Sequence, residues 1–179
     1  MNIQIIQEFF FLAMSQGWAS SEKKGMPFPE PPLTAALPGI KHGWYGSMLK
    51  GIKFTLCDYY FVAPGSDKSY GTTVIWEGER PVLKPIWVMH YGGFYKKEVI
   101  PFLKRALFAA YNKDQFFGGR GPEFYREQGN PMAYQNFVTD NCSFGLFNGT
   151  EEIRGVERKL LGEHHYFGGI IACDVLAER

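Results

Sequence analysis

The chain has 179 residues, a net charge of +1 and 45% hydrophobic residues, which is typical of one globular domain with its own core. Lys and Arg are scattered without a basic stripe, so the composition argues against nucleic-acid binding. No apolar run approaches the roughly 18 residues that cross a bilayer. The 3 cysteines form no CxxC pair, which argues against a disulfide scaffold. We therefore expect a cytoplasmic protein without a membrane segment.

The first predicted element is a helix over residues 3–16. Asn2 is a suitable N-cap, Ile5 and Phe9 recur on one face, and Gly17 can end the helix. Residues 17–49 follow and are rich in Pro and Gly, which weaken strand ladders, so they are predicted to form a long loop. Loops of this length are often functional, and we expect this one to form a lid or one wall of a pocket.

Strand patterns begin at Ile52, where apolar and other residues alternate. Two more strands, "YGTTVIW" and "LKPIWVMHY", are joined by "EGER", and Pro85 marks the second of them as an edge or bulged strand. A second helix is predicted over about residues 99–112. After the loop "DQFFGGRGPEFYREQGNP", the strand pattern resumes as "MAYQNFVTD", then "SFGLFNG" continued by "TEEIR", then "KLLGEHHYFGG".

Two segments of the chain resemble each other. "MHYGGFY" at residues 89–95 returns as "HHYFGGII" at residues 164–171, and other short matches share an offset of about 75 to 78 residues. The sequence therefore predicts one α+β domain over residues 1–179, made of two pseudo-repeats of a helix and three strands. Repeat 1 covers about residues 1–95 with the loop 17–49, and repeat 2 covers about residues 96–172. If the sheet edges of the two repeats pair with each other, they form one largely antiparallel sheet with helices packed on one face.

An ordered set of motifs carries a family resemblance: "IWVMHYGG", "FLKRAL", "GRGPEFY", "FNGTEEI" and "HHYFGG". Over about residues 52–171 the chain resembles the bacterial domain of unknown function 5680 family. The resemblance implies an α+β domain that occurs alone or fused behind helix-turn-helix regulators. This suggests ligand sensing but establishes no chemistry, and no catalytic residues can be carried over from the family. The chain departs from the family pattern at Thr72 and Thr73, where paired acids are typical, whereas Glu151 and Glu152 keep them.

Several residues have the chemistry of a binding site. Two histidines in the repeated motifs could meet at equivalent strand ends, but the spacing is too weak for a metal site, so no metal and no cofactor are predicted. Adjacent His164 and His165 point to opposite faces of a strand, so only one can join His90 in a single site. The Gly-rich loop offers an arginine that could hold an anion, and an aromatic cluster with an aspartate suits planar or sugar-like ligands. The candidate ligand-binding residues are Asp58, Tyr60, Trp87, Tyr91, His90, Arg120, Glu151 and His165.

These observations favour a small-molecule-binding or sensing module, with a pocket between the sheet and the Pro-rich loop. Catalysis is left open, and the absence of a GxSxG elbow or a Cys-His pair argues against it. One alternative is a small hydrolase acting on a phosphorylated or sugar-like substrate, which would use His90 or His165 with Glu151 or Glu152 and anchor an anion at Arg120. Another is an interaction protein that pairs through a sheet edge, including a possible homodimer.

Overall fold

The structure, a computed structural model, describes residues 2–20, 40–79 and 82–172. Two α-helices and eight strands form an α+β fold. In chain order the elements are α1 (Ile3–Gln16), β1 (Ile40–Leu49), β2 (Ile52–Phe61), β3 (Lys68–Glu79), β4 (Val82–Tyr95), α2 (Ile100–Tyr111), β5 (Phe124–Arg126), β6 (Ala133–Val138), β7 (Leu146–Arg154) and β8 (Leu160–Ile170).

Helix α1 has the predicted bounds and the predicted caps. The Asn2 side chain accepts a hydrogen bond of 2.8 Å from the backbone N–H of Gln4, and Gly17 is the C-cap. Phe9 and Phe10 on its buried side contact the sheet, with ring centroids 5.1 Å from Phe54 and from Trp87 respectively. Helix α2 begins one residue later and ends one residue earlier than predicted, after a single 3-10 turn.

The prediction of a loop over residues 17–49 is wrong for its last part, because Ile40–Leu49 is strand β1. Every residue of β1 is paired with β2, through a hairpin whose two turn residues are Lys50 and Gly51. Both have positive φ, 49° and 78°, as a tight hairpin turn of this kind requires. The glycines within β1 hide its strand character in the sequence, and pairing with a strongly patterned neighbour overrides them. Residues 21–39 of that predicted loop lie outside the described residues.

All eight strands belong to one antiparallel sheet in the order β1-β2-β3-β4-β8-β7-β6-β5. Each half of the chain contributes four strands, and not the three that the sequence indicates, since β1 and the three-residue β5 are additional. The halves meet where β4 pairs with β8. Pro85 of β4 lies where the β3–β4 register shifts by one residue and beyond the ladder to β8, so its missing N–H costs no hydrogen bond there.

Related contacts occur in the two halves at the "HYGG" and "HHYFGG" segments. Thr72 lies 2.9 Å from Nδ1 of His90, and Thr150 lies at the same distance from Nδ1 of His165. The hydroxyl of the tyrosine that follows each of these histidines donates to a side-chain oxygen two strands away in the sheet. The sequence echo therefore marks two places with the same local contacts, while the internal repeat as a whole stays a prediction.

The core combines buried side chains of both helices with those of one face of the sheet. We call this the cavity face; it carries alternate residues such as Phe54, Ile75, Met89 and Tyr166, each at most 2% exposed. The opposite sheet face carries several exposed aromatic side chains, whereas Thr55 and Cys57 on the same face are buried. Neither of the two described helices is long and apolar enough to cross a membrane.

Candidate functional site

A cavity of about 290 Å³ opens on the cavity face of the sheet. Strands β2, β3, β4 and β8 form its floor, the start of α2 and Trp18 after α1 form its walls, and the β2–β3 turn and the Gly-rich loop close its sides. Its lining is mixed aromatic, apolar and charged, and consists of Trp18, Asp58, Tyr60, Val62, Ser66, Asp67, Ser69, Tyr91, Tyr95, Lys97, Ile100, Leu103, Arg120 and His164. This volume is at the small end of ligand pockets, so the cavity suits a compact molecule.

Asp58 is held on the floor by its neighbours on β3 and β4. Its Oδ1 accepts hydrogen bonds of 2.7 Å from Thr73 and 2.9 Å from Tyr91. Residues Asp58 and Thr73 are paired across β2 and β3, so the register of the sheet fixes the contact. Burial raises the pKa of Asp58, and the two hydrogen bonds together with the charge of Arg120 lower it in part.

Arg120 forms a buried ion pair with Glu151 of β7. The atoms Nη1 and Oε1 are 3.2 Å apart, and the side chains are 9% and 0% exposed. Tyr95 and Tyr134 donate hydrogen bonds of 2.8 and 2.7 Å to the two oxygens of Glu151. Burial alone would lower the pKa of Arg120, but Glu151, assisted by nearby tyrosines, raises it well above its usual range, so the arginine keeps its charge. The pair is a fixed element of the site, because each charge has partners in place.

The Gly-rich loop can bring Arg120 this close because its neighbours have no side chains. A Cβ at Gly119 would overlap the ring of Tyr166, and a Cβ at Gly121 would overlap the hydroxyl of Tyr134. The Arg120 guanidinium lies over the ring of Tyr91, 4.6 Å from its centroid, which adds a cation–π contact. The loop thus positions an arginine against the sheet.

His164 joins the same network as a neutral ring. Its Nδ1 is 3.0 Å from Nη1 of Arg120, and its Nε2 is 3.2 Å from Oγ of Ser69. Since a guanidinium can only donate, Nδ1 accepts, and the single proton sits on Nε2 and points to Ser69. Burial lowers the pKa of His164 to about 2, and electrostatic interactions with Arg120 and then His165 act in the same direction. The Ser69 hydroxyl therefore accepts from the ring and can donate its own proton to another group.

The structure places the residues predicted from sequence in three different environments. Asp58, Tyr60, Tyr91 and Arg120 line the cavity, and Glu151 lies behind them as the partner of Arg120. Trp87 is fully buried in the core, where its ring stacks on Phe144 at 5.0 Å and its Nε1 donates to the Phe144 carbonyl. His90 and His165 lie on the opposite sheet face, bonded to Thr72 and Thr150.

The candidate residues named from the sequence did not include some that line the cavity, above all His164, Ser69 and Lys97. The pair "HH" shows that one histidine of β8 faces inward, but only the register of β8 against β4 and β7 decides that it is His164. His164 is 2% exposed, whereas the side chain of His165 is 69% exposed. Ser69 lacked any sequence signal beyond its place in a strand.

Within the described ranges, no group of three or more His, Cys, Asp or Glu side chains is arranged to hold a metal ion. The cavity presents two cationic side chains, Lys97 and Arg120, and two carboxylates, Asp58 and Asp67, beside aromatic walls. Such an arrangement can bind and orient a small polar molecule.

Comparison with known proteins gives one match. The family described as "Domain of unknown function (DUF5680)" matches residues 58–171, from Asp58 within β2 to the residue after β8. No curated protein and no solved structure matches the chain significantly.

Proposed function

The chain belongs to the DUF5680 family, and from this premise we propose that it is a small-molecule-binding module whose ligand occupies the 290 Å³ cavity. One observation carries the proposal: the cavity is lined by charged side chains whose positions are already fixed by buried partners. Asp58 is held by two hydrogen bonds, and Arg120 by Glu151 and His164. Preorganised polar groups around an apolar wall are typical of ligand sites, since binding then costs little ordering.

The internal repeat supports a specialised role for the first half. We infer that the two halves are copies of one unit with helices over the same sheet face. Asp58 and Tyr91 then correspond to Asn136 and Tyr166, which also form a hydrogen bond. Asn136 is 4% exposed and Tyr166 is 2% exposed, so that half is packed where the first half is open. An ionisable carboxylate at the open position suits a polar ligand.

The hydrolase alternative has less support. His90, His165 and Glu152 lie on the opposite sheet face from Arg120 and Glu151, so the proposed acid and base do not converge with the proposed anion anchor. The histidine that does reach Arg120 is His164, whose pKa of about 2 makes it a poor base near neutral pH. Pairing through a sheet edge stays a second alternative, with β1 and β5 as the edge strands.

A cavity-filling variant tests the proposal. Val62 lines the cavity, and Val62→Trp would fill much of it. Val82, which is 77% exposed and does not line the cavity, gives the matched control Val82→Trp. We would compare wild type and both variants by native mass spectrometry against the denatured masses, and by ligand-observed NMR with a small-fragment library.

The expected result is that wild type and Val82→Trp carry or bind the same compounds and Val62→Trp does not. Circular dichroism would check that each variant is folded. If no compound binds wild type, or if Val62→Trp binds as wild type does, the cavity is not a ligand site.

A further inference from the structure

A small crevice extends the cavity beneath Asp58. Its volume is about 20 Å³, and it shares Trp18, Asp58, Tyr91 and Arg120 with the main cavity. Thr73 and Tyr111 are among the residues that complete its lining. A space of this size holds one group as large as a water molecule. The crevice can therefore take a single polar substituent of a ligand whose body lies in the main cavity.

The hydroxyl of Tyr111 is the group in this crevice without a well-formed hydrogen bond. Tyr111 is 1% exposed, and its hydroxyl lies near enough to Arg120 to interact with it, but within the described parts of the chain it makes no hydrogen bond of ordinary geometry. A buried hydroxyl left in this way costs free energy, and such groups are normally satisfied by water or by a ligand. The unsatisfied atom points to an occupant of the crevice.

The chemistry of the lining selects the occupant. Arg120 can only donate hydrogen bonds, an ionised Asp58 can only accept them, and the Tyr111 hydroxyl can do both. An ammonium group would face the charge of Arg120, and a carboxylate would face Asp58, in a site with little water to screen either repulsion. A hydroxyl can donate to Asp58 and accept from Arg120 or Tyr111 at the same time.

We propose that the ligand is a neutral polyhydroxylated compound of monosaccharide size, which places one hydroxyl in the crevice between Asp58, Arg120 and Tyr111. This inference rests on the proposed function and specifies its ligand class. The ring of the ligand lies in the main cavity against the aromatic walls, as sugar rings commonly do. The proton of Ser69 that His164 leaves free serves a second hydroxyl.

Ring compounds of similar size and different charge test the class. Ligand-observed NMR would measure binding of neutral polyols (myo-inositol, D-glucose, D-galactose and D-ribose), of cyclohexylammonium and of cyclohexanecarboxylate. The variants are Asp58→Asn, which replaces an acceptor oxygen by a donor, and Tyr111→Phe, which removes only the hydroxyl. Asp140→Asn makes the first change on an exposed turn and is the control.

At least one neutral polyol is expected to bind more tightly than both charged compounds. Its affinity should fall about tenfold to a hundredfold in Asp58→Asn and about twofold to tenfold in Tyr111→Phe, with no change in Asp140→Asn. If a charged compound binds best and depends on Asp58, the hydroxyl assignment is overturned while the binding function stands. If a polyol binds equally well to wild type and Tyr111→Phe, the crevice is not its site. If nothing in the panel binds and no compound binds the cavity in the Val62→Trp comparison, both proposals fail.

Discussion

Replacing Glu151 with glutamine separates the charge of the buried ion pair from its shape. The variant keeps a side chain of the same size at a position that is 0% exposed, but it leaves the guanidinium of Arg120 without its nearest anion. Breaking a buried pair by removing one partner costs about 3–5 kcal/mol, because the remaining charge stays desolvated. We expect Glu151→Gln to lower the free energy of unfolding by about that amount, and the melting temperature by about 6–20 °C.

A double-mutant cycle with Arg120→Met tests whether the ion pair is the cause. Removing both charges eliminates the uncompensated charge that each single variant leaves behind. The double variant should therefore cost at least about 2 kcal/mol less than the sum of the single variants. Urea denaturation followed by tryptophan fluorescence and by circular dichroism measures all four proteins.

The neighbouring residue gives a matched control. Glu152 lies on the opposite sheet face, where its Oε2 is 2.7 Å from Nε of Arg154, a side chain that is 44% exposed. Glu152→Gln should cost no more than about 1 kcal/mol, and added salt should reduce that cost further. If Glu151→Gln is as mild as Glu152→Gln, or if the cycle is additive, the pair is not desolvated as the structure describes and the reasoning is refuted.

Three further predictions concern single side chains. Tyr111→Phe should change the free energy of unfolding by less than about 1 kcal/mol, because the lost hydroxyl makes no well-formed hydrogen bond in the described residues. Tyr134→Phe should cost about 1.5–3 kcal/mol, because it removes a hydrogen bond to a buried carboxylate, and urea denaturation compares the two variants. Burial raises the pKa of Asp58 above 3.8, so the folded state binds its proton more tightly and stability falls as the pH rises past 3.8. The free energy of unfolding, measured from about pH 4 to pH 7, should therefore decline less in Asp58→Asn than in wild type, and an equal decline would contradict the raised pKa. Hydrogen bonds from Arg105 are the main cause that lowers the pKa of Glu127 from 4.5 to about 2, so the pair stabilises the folded state above pH 4.5 and this stabilisation disappears toward pH 2. Glu127→Gln should remove this acid dependence and cost about 1 kcal/mol or less at pH 7, since the Arg105 side chain is 51% exposed. If stability fell equally toward pH 2 in the variant and in wild type, the pair would not be its cause.

Local signals were enough to predict several elements of the fold. Helix α1 follows from an apolar stripe between a capping Asn2 and a terminating Gly17, all of which act within a few turns of one another. The β3–β4 hairpin follows from period-two patterns, but the connection predicted at "EGER" is wrong for its first three residues, because Glu77, Gly78 and Glu79 continue strand β3. Ordered motifs were also sufficient to recognise the DUF5680 family, which the match over residues 58–171 confirms.

The missed strands show where local signals end. Strand β1 carries glycines and follows a Pro-rich segment, and β5 has only three residues. Neither has a strong propensity of its own, so each exists because a neighbouring strand offers a complete row of hydrogen-bonding partners. The local sequence of β1 or β5 does not identify the strand with which it pairs, because that partner is adjacent only in the folded sheet.

The sequence by itself determined the residue types of the site, and the tertiary structure decided which of them meet. Asp58, Tyr91 and Arg120 could be singled out by their chemistry, but the choice between His164 and His165 depends on which side of β8 faces the cavity. Side chains alternate between the two faces of a strand, so a register one residue different would reverse that choice. The long-range pairing of β8 with β4 and β7 fixes the register, and it brings the arginine of a distant loop against a glutamate and a histidine from two other strands.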